Sequence, residues 1–349
     1  MGASVTPVIL CGGVGARLWP LSTRARPKPF HAIDGDETLL QATARRLAPG
    51  PDASFSAPIV ICSAAHRDLV WSQLDAIGVR PALVIVEREG RGTAFAAALA
   101  VRATREAAPG SLVLLAPADH QVADPAAFRV SVAQAATAAR RRVVLFAAPP
   151  DCAETGYGYI RMGRPLAGGL RRVQAFVEKP DRTRAQAMLA QGAWAWNAGL
   201  FLASPDVLAN EIARHAPEID ADAGAAWTRA RRAADEVLLG PIDGVQSPRS
   251  LDAAVIEHSG RLAAAPCDMR WADVGCWRSL SRLVRDDGAR NRVRGPAKLV
   301  DSTGCMVWSS GKPVAVIGMT DVVVVTTPDG VLVMPRERAQ EVGRLGMGD

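Results

Sequence analysis

The chain of 349 residues is 49% hydrophobic and 22% charged, and its formal net charge is +6 at pH 7. This balance is typical of a globular protein, and because no apolar run reaches about 18 residues we expect no membrane span. The arginines are spread along the chain instead of forming a basic patch interleaved with aromatic residues. We therefore expect small anionic ligands and no nucleic acid.

The cysteines and the N-terminus indicate the compartment. Six cysteines lie far apart without a CxxC pair, which argues against a zinc site or a disulfide framework and suits a reducing environment. The N-terminus lacks the basic start and the cleavage site of a secretion signal. We therefore predict a cytoplasmic protein.

Short apolar, β-branched runs alternate with helical stretches over the first 150 residues. The predicted strands are Pro7–Cys11, Ile59–Cys62, Leu83–Val86, Leu112–Ala116 and Val143–Phe146. The predicted helices are Leu39–Leu47, His66–Ile77, Thr93–Ala107 and Ala126–Ala139. This alternation predicts an α/β fold with a Rossmann-like mixed, mostly parallel sheet and flanking helices, in which ligands bind at the carboxyl ends of strands.

The pattern is less regular from about residue 151 to 290. We predict strands at Val173–Val177 and Ala198–Ala203, a helix at Arg182–Gln191, helices from Pro205 to about Leu239, and loops at Gly163–Gly169 and Gly240–Pro248.

The last fifty residues contain short β-rich pieces separated by turn signals. These pieces are Cys305–Ser309, Val314–Ile317, Val322–Thr326 and Val331–Met334. They predict a small C-terminal β module, made either of β-helix coils or of a compact sheet. Its strands cannot bury both faces alone, so we expect the module to pack on the main domain or on a second subunit. A homodimer is therefore one of the expected arrangements. The predicted domains are 1–290 and 291–349.

A glycine-rich loop follows the first predicted strand. Its glycines, which let the backbone approach a ligand and turn N–H groups toward an anion, are Gly12, Gly13 and Gly15. Arg17 can clamp phosphate oxygens in a fork, and Lys28 can place a compact charge on them. A dinucleotide fingerprint would need a glycine where Leu18 stands, and a P-loop would need Gly-Lys-Ser/Thr, which is absent. The loop therefore predicts a cradle for a triphosphate.

The loop resembles the signature of the sugar nucleotidyltransferases. The resemblance rests on Gly12-Gly13-x-Gly15-x-Arg17-Leu18-x-Pro20-Leu21 followed by Pro27-Lys28, and Trp19 is similar to the mannose-1-phosphate guanylyltransferase branch. It implies that Arg17 and Lys28 are catalytic. It further implies a nucleotide-binding set made of Leu10, Gly12, Gly13, Gly15, Arg17, Lys28, Glu87, Thr93 and Asp119. The branch usually has Arg-Asn-Thr-Ala-Pro-Ala near the base, and this chain departs from it at Gly92 and Phe95.

Two carboxylates follow predicted strand or loop segments in family-like motifs. Asp119 lies in Ala-Pro-Ala-Asp-His and Asp273 lies in Trp-Ala-Asp-Val-Gly. Two hard oxygen donors together with phosphate groups would suit one Mg²⁺ ion. Each aspartate could instead cap a helix, Asp273 one that runs through Leu283. The resemblance implies that both bind the metal.

A third group of residues concerns the sugar. Through the resemblance, Glu178 is assigned to sugar hydroxyls and Lys179 to the sugar phosphate. The remaining residues of the implied sugar-phosphate site are Tyr157, Gly158, Asn197 and Gly199. We expect His120 to orient its neighbours, Glu257 of the Ser250–Glu257 segment to support the site, and alkylation of Cys11 to inhibit.

The resulting hypothesis is a transfer of GMP from GTP to mannose 1-phosphate. The sugar phosphate would attack the α-phosphorus in line, pyrophosphate would leave, and positioning and charge stabilisation would supply the catalysis. Two alternatives remain open, the same chemistry on a heptose or glucose 1-phosphate or with another NTP, and a non-catalytic sugar-nucleotide sensor. A longer bifunctional relative would continue into an isomerase domain, so we expect no isomerase activity.

Overall fold

The computed structural model describes residues 4–50, 55–242, 247–284 and 286–346. Its contacts divide the chain into two compact units, one of Met1–Gly12 with Thr43–Trp271 and one of Gly13–Ala42 with Ala272–Asp349. This division concerns packing alone, and the predicted domain boundary between residues 290 and 291 stays a prediction. The helix α1 (Leu39–Leu47) and the short strand β13 (Trp271–Ala272) lie where the chain passes from one unit to the other.

Eleven strands form one sheet in the described part of the first unit, in the order β10-β11-β3-β2-β1-β4-β9-β6-β12-β8-β7. The strands of this unit are β1 (Val5–Cys11), β2 (Ile59–Ser63), β3 (Leu83–Glu87), β4 (Leu112–Pro117), β5 (Gln121–Val122), β6 (Val143–Ala148), β7 (Tyr159–Pro165), β8 (Arg171–Val177), β9 (Trp194–Ala203), β10 (Arg231–Arg232), β11 (Glu236–Leu238) and β12 (Leu262–Pro266). The run β11-β3-β2-β1-β4 is parallel, whereas β9 is antiparallel to both β4 and β6. The predicted α/β fold with a mixed sheet is confirmed.

The helices that lie wholly in the first unit are α2 (Arg67–Asp75), α3 (Thr93–Ala107), α4 (Pro125–Ala139), α5 (Arg182–Gln191), α6 (Pro205–His215), α7 (Pro217–Thr228) and α8 (Leu251–Ala254). At the start of four of them, a side chain satisfies a free backbone N–H group. Asp124, Asp181, Ser204 and Ser250 each accept a hydrogen bond from the third residue that follows them. The alanine-rich α3 is buried along most of its length, and Phe95 in its first turn lines the same cavity as Glu87 at the carboxyl end of β3.

Three parts of the sequence interpretation were wrong. The helices predicted from Pro205 to about Leu239 end at Thr228. Beyond this residue, Glu236–Leu238 forms the strand β11, which pairs in parallel with β3. The predicted loop at Gly163–Gly169 begins inside β7, and the alanine-rich β12 was missed although it is buried between β6 and β8. Pairing with strands distant in sequence outweighs the local preference at β11 and β12, whereas β7 extends into the loop region through its pairing with the neighbouring strand β8. The predicted loop at Gly240–Pro248 lies partly outside the described residues.

The second unit contains the C-terminal β module. Its elements are α9 (Trp277–Ser281), β14 (Arg292–Arg294), β15 (Ala297–Val300), β16 (Met306–Ser309), β17 (Val314–Ile317), β18 (Val322–Thr327), β19 (Gly330–Pro335) and a 3-10 helix at Arg336–Arg344. Successive strands stack in parallel, β14 on β16 on β18 and β15 on β17, and β19 returns antiparallel to β18. Parallel stacking of this kind makes β-helix coils, which decides between the two arrangements that the sequence left open.

From Gly13 onward, the glycine-rich loop belongs to the same unit as the β module. Leu18 and Trp19 share one hydrophobic cluster with Trp277 and Trp308, and the Trp277 indole N–H donates to the carbonyl oxygen of Trp19 at 2.9 Å. The β module therefore packs directly on the segment that carries Arg17.

Candidate active site

Glycine is required in the loop where the backbone bends toward Lys28. Gly15 has φ 74°, a left-handed conformation that favours glycine. A Cβ atom at this position would lie 2.6 Å from Cβ of Lys28, whereas one at Gly12 would meet no atom within 4 Å. The Lys28 N–H donates to the Val14 carbonyl oxygen at 3.2 Å. The loop thus closes on the residue predicted to bind phosphate.

Lys28 and Asp273 are bonded to each other. The Lys28 side chain is only 3% exposed, and its Nζ lies 3.3 Å from Oδ1 of Asp273 and donates to the Asp273 carbonyl oxygen. A buried ammonium group needs a partner, and the Asp273 carboxylate supplies one at this position. The alternative role for Asp273 is wrong, because Cys276 occupies the cap position of α9. A predicted phosphate ligand and a predicted metal ligand therefore meet within the second unit.

Arg17 is held close to the same aspartate. Its Nη1 donates to Oε1 of Gln340 at 2.8 Å. A Cβ on Gly275 would lie 2.9 Å from Oδ2 of Asp273 and 3.3 Å from Nη2 of Arg17. Glycine at 275 therefore lets the carboxylate and the guanidinium approach the same backbone. The sequence interpretation missed Gln340, because nothing local marks a contact across 323 residues.

Asp119 follows β4 in the first unit and does not cap a helix. The Trp271 indole N–H donates to Nδ1 of His120 at 3.1 Å. Since that N–H is a donor only, Nδ1 must accept, and the proton of a neutral His120 is assigned to Nε2. His120 Nε2 lies 3.9 Å from Oδ1 of Asp119. His120 thus has a fixed local orientation beside the Asp119 carboxylate. Glycine at position 199 leaves space for the imidazole ring, since a Cβ atom on Gly199 would lie 3.1 Å from Cε1 of His120.

Asn197 connects several of the predicted sugar-binding residues. Its side chain is buried at 6% exposure, and its backbone N–H donates to the Gly158 carbonyl oxygen at 2.8 Å. Its Oδ1 accepts from the Gly199 N–H at 3.3 Å, and its Nδ2 donates to Oδ1 of Asp252 at 2.7 Å. The buried amide is therefore bonded at both ends. The sequence interpretation assigned no role to Asp252.

Glu178 lies over Gly158. A Cβ on Gly158 would come within 2.9 Å of Oε2 of Glu178, so glycine permits this approach. Lys179 Nζ lies 3.0 Å from Oε1 of Glu178, and Lys179 remains 59% exposed. The Glu178 N–H points to Oε1 of Glu257 at the long distance of 3.5 Å.

Tyr157 belongs to the same region of the first unit. Its ring makes edge contacts with the rings of Trp196 and Trp271, with centroids 5.2 and 5.1 Å away. The predicted set of sugar-binding residues and the pair Asp119–His120 therefore share Trp271 as a neighbour.

The third predicted region lies at the carboxyl end of β3. Glu87 is 7% exposed, and burial raises its pKa to about 7 although the charge of Arg91 lowers it. Oε1 of Glu87 has no hydrogen-bond partner among the described residues. The carboxylate lines a cavity of about 150 Å³ whose other lining residues are Arg88, Glu89, Arg91, Phe95, Leu239, Gly240, Pro241 and Ile242. A buried acceptor of this kind needs a donor.

The family departure at Gly92 has a structural reason. Gly92 has φ 86°, and a Cβ there would lie 2.3 Å from the carbonyl oxygen of Arg249. Oγ1 of Thr93 accepts from the Leu251 N–H at 2.8 Å. Thr93 therefore fastens the start of α3 to α8, and Gly92 allows the chain around Arg249 to pass close to it.

Cys11 is buried in the folded protein. It is 2% exposed, and burial raises its pKa well above the ordinary value, with further contributions from Cys62 and Asp119. Because the thiolate is the reactive form, we expect alkylation of the folded protein at Cys11 to be slow.

Two general features complete the description. The described residues contain no group of three or more His, Cys, Asp or Glu side chains placed to hold a metal ion. In the same part of the chain, no helix combines the length and apolarity that crossing a membrane requires. The predicted homodimer and the predicted cytoplasmic location stay predictions.

Comparison with known proteins identifies the family. Residues 6–289 match the nucleotidyl transferase family, and residues 297–345 match the MannoseP isomerase/GMP-like β-helix domain. An alginate biosynthesis protein, AlgA of Pseudomonas aeruginosa, is 38% identical over 96% of this chain and 70% of its own length. A protein of Escherichia coli named mannose-1-phosphate guanylyltransferase is 36% identical over 96% of this chain and 72% of its own length.

A solved structure agrees in fold over nearly the whole chain. The crystal structure of a Thermus thermophilus protein named mannose-1-phosphate geranyltransferase has a TM-score of 0.83 and 31% identity, and the match covers 98% of each chain. The chain therefore belongs to the nucleotidyl transferase family and is an enzyme of nucleotidyl transfer.

Proposed function

We propose that the chain transfers GMP from GTP to mannose 1-phosphate, giving GDP-mannose and pyrophosphate. The name of the Escherichia coli relative suggests this pair of substrates. The observation in this structure that favours guanine is the Glu87 carboxylate, which is buried at 7% exposure and has one oxygen without a partner among the described residues.

A carboxylate distinguishes guanine from the other bases because it can only accept hydrogen bonds. Guanine presents two adjacent donors, N1–H and N2–H, which match the two oxygens of one carboxylate. Adenine, cytosine and uracil place an acceptor beside each donor on the corresponding edge, and that acceptor would be repelled. Guanine would therefore offset the cost of burying the charge of Glu87, whereas another base would leave the charge uncompensated.

The phosphates are assigned to the second unit. Lys28 and Arg17 supply positive charge, and Gly15 gives the loop its close approach. In the folded protein Lys28 is already held by Asp273 at 3.3 Å, so its ammonium group is positioned before substrate binds. Preorganised charge of this kind lowers the barrier when the phosphate oxygen of the sugar attacks the α-phosphorus and pyrophosphate leaves. Because the attacking phosphate is already anionic, no group on the protein needs to remove a proton.

The chemistry of the donors fits Mg²⁺, on which members of this family generally depend. The side chains of Asp119 and Asp273 are 28% and 19% exposed, so each offers hard oxygen atoms that remain accessible. Mg²⁺ keeps several waters and binds substrate phosphates, so it needs few ligands from the protein. We propose that both aspartates are Mg²⁺ ligands. When bound, the ion would neutralise negative charge on the phosphates.

The sugar phosphate is assigned to the first unit. Lys179 is 59% exposed and can pair with the phosphate group, while Glu178 can accept hydroxyl hydrogens. The Asn197 amide is fixed by the Gly199 N–H and by Asp252, so it is rigid when the sugar binds.

The test is pyrophosphate release with Mg²⁺, crossing GTP, ATP, UTP, CTP and dTTP with mannose, glucose and heptose 1-phosphates. GTP with mannose 1-phosphate should dominate. A different dominant pair would overturn the substrate assignment, and silence across the panel would favour a protein that binds sugar nucleotides without catalysis.

A variant pair tests the guanine argument within the same assay. Glu87→Gln should reduce the preference for GTP over ATP by about 10-fold or more, since an amide presents one donor to the base where the carboxylate presents an acceptor. Asp75→Asn, which alters an exposed carboxylate at the end of α2 outside this cavity, should leave the preference unchanged. An unchanged preference in Glu87→Gln would exclude this carboxylate from base selection.

A further inference from the structure

Asp252 has an unusual place for a charged residue. It is half-buried in the short helix α8, and its Oδ1 accepts from Nδ2 of Asn197 at 2.7 Å. At the other end of the amide, Oδ1 of Asn197 accepts the Gly199 N–H at 3.3 Å. A carboxylate only accepts and a backbone N–H only donates, so the two contacts together fix which way the amide faces. The direction of the second N–H bond of Nδ2 is therefore fixed as well.

A charge is not needed to orient an amide in this way. Asparagine at position 252 could accept the same hydrogen bond through its side-chain oxygen, without the cost of burying a carboxylate. That cost is real in this fold, because burial and then the charge of Glu178 raise the pKa of Asp252 to about 7. Groups that oppose stability in this way are common where a protein binds a ligand. The charge of Asp252 therefore indicates a role toward a ligand in addition to its contact with Asn197.

The neighbours of Asp252 indicate the chemistry of that ligand. Glu178 is a second carboxylate close enough to influence Asp252, and Lys179 beside it bears a positive charge. Gly158 lacks a side chain where Oε2 of Glu178 approaches to 2.9 Å of the position a Cβ would take. Two carboxylates and an oriented amide suit a ligand with several hydroxyl groups, and the lysine suits an attached phosphate.

We propose that Asp252 is a specificity-determining residue whose carboxylate accepts a hydrogen bond from one sugar hydroxyl and orients the Asn197 amide toward the same sugar. Glu178 accepts from a different hydroxyl. The inference rests on the proposed function for its substrate class, a sugar 1-phosphate, and adds a second carboxylate that binds a hydroxyl group of the sugar.

The experiment compares Asp252→Asn with the wild-type enzyme on the sugar 1-phosphate that is preferred in the substrate panel and on analogues that each lack one hydroxyl. Asp252→Asn has nearly the same shape and can keep the bond to Asn197, and Asp252→Ser is a smaller second variant. Asp268→Asn, an exposed carboxylate of the same unit, is the matched control. Thermal unfolding of each variant establishes that it is folded.

The KM for the sugar phosphate should rise about 10-fold or more in Asp252→Asn while the KM for GTP stays unchanged, as expected for loss of a charged hydrogen bond to the sugar alone. One analogue should lack the hydroxyl that Asp252 binds. On this analogue the wild-type enzyme should be much less active than on the complete sugar phosphate, whereas the Asp252→Asn enzyme should be nearly as active on the analogue as on the complete sugar phosphate. The Asp268→Asn enzyme should behave as the wild type.

Two results would overturn the inference. If removal of each hydroxyl reduces the activity of the Asp252→Asn enzyme by the same factor as that of the wild-type enzyme, Asp252 contacts no hydroxyl. If KM rises for both substrates and kcat falls in the folded variant, the role of Asp252 is structural. The proposed function is tested separately, by the substrate panel with the wild-type enzyme. If that panel shows a different preferred sugar phosphate, the analogues are derived from that compound, and the prediction for Asp252 still applies.

Discussion

Replacing Glu87 by glutamine should stabilise the protein increasingly as the pH rises. The pKa of Glu87 is raised from 4.5 to about 7, chiefly by burial. The folded protein therefore holds this proton more tightly than the unfolded chain does, and between pH 4.5 and 7 the unfolded chain releases it first. Wild-type stability falls over that window, and the full loss persists above it. The difference between the two pKa values corresponds to about 3 kcal/mol, and solvent screens little of this energy because the side chain is only 7% exposed.

Urea unfolding followed by tryptophan fluorescence, from pH 5 to pH 8, measures this difference. The free energy of unfolding of Glu87→Gln minus that of the wild type should grow from a small value at pH 5 to about 3 kcal/mol at pH 8. Glu89→Gln, which alters an exposed carboxylate, should show no such growth. A difference that does not change with pH would refute the argument, as would an equal change in the control.

Three other substitutions test the positioning of the site. Gly15→Ala should lower stability by about 1–2 kcal/mol and reduce turnover, whereas Gly12→Ala should leave stability unchanged; thermal melting compares the two variants, and an equal loss of stability would contradict the glycine argument. Lys28→Met should lower kcat by about 100-fold or more with the fold retained by circular dichroism, and unchanged turnover would remove it from catalysis. Trp271→Phe deletes the donor to His120 and should raise the Mg²⁺ concentration for half-maximal activity about 10-fold; an unchanged Mg²⁺ titration would show that this contact does not matter.

Local features of the sequence were enough for most of the α/β framework. The helices Leu39–Leu47, Thr93–Ala107 and Arg182–Gln191 have the predicted bounds, because helical periodicity and capping residues act within a few positions. The apolar runs of β1 to β4 were equally clear, since strands covered on both faces are almost continuously apolar. The glycine loop could also be identified locally, because its glycines, Arg17 and Lys28 follow directly after a strand.

Long-range contacts decided what local patterns could not. The strand β12 is alanine-rich and gains its conformation from pairing with β6 and β8, and the coils of the β module depend on parallel stacking of strands. The bond between Lys28 and Asp273 spans 245 positions, and that between Asn197 and Asp252 spans 55. The sequence determined which chemical groups are present and the local backbone that carries them. Only the tertiary structure decided which of these groups are partners, because hydrogen bonds and ion pairs depend on distances of a few ångströms that separation along the chain does not set.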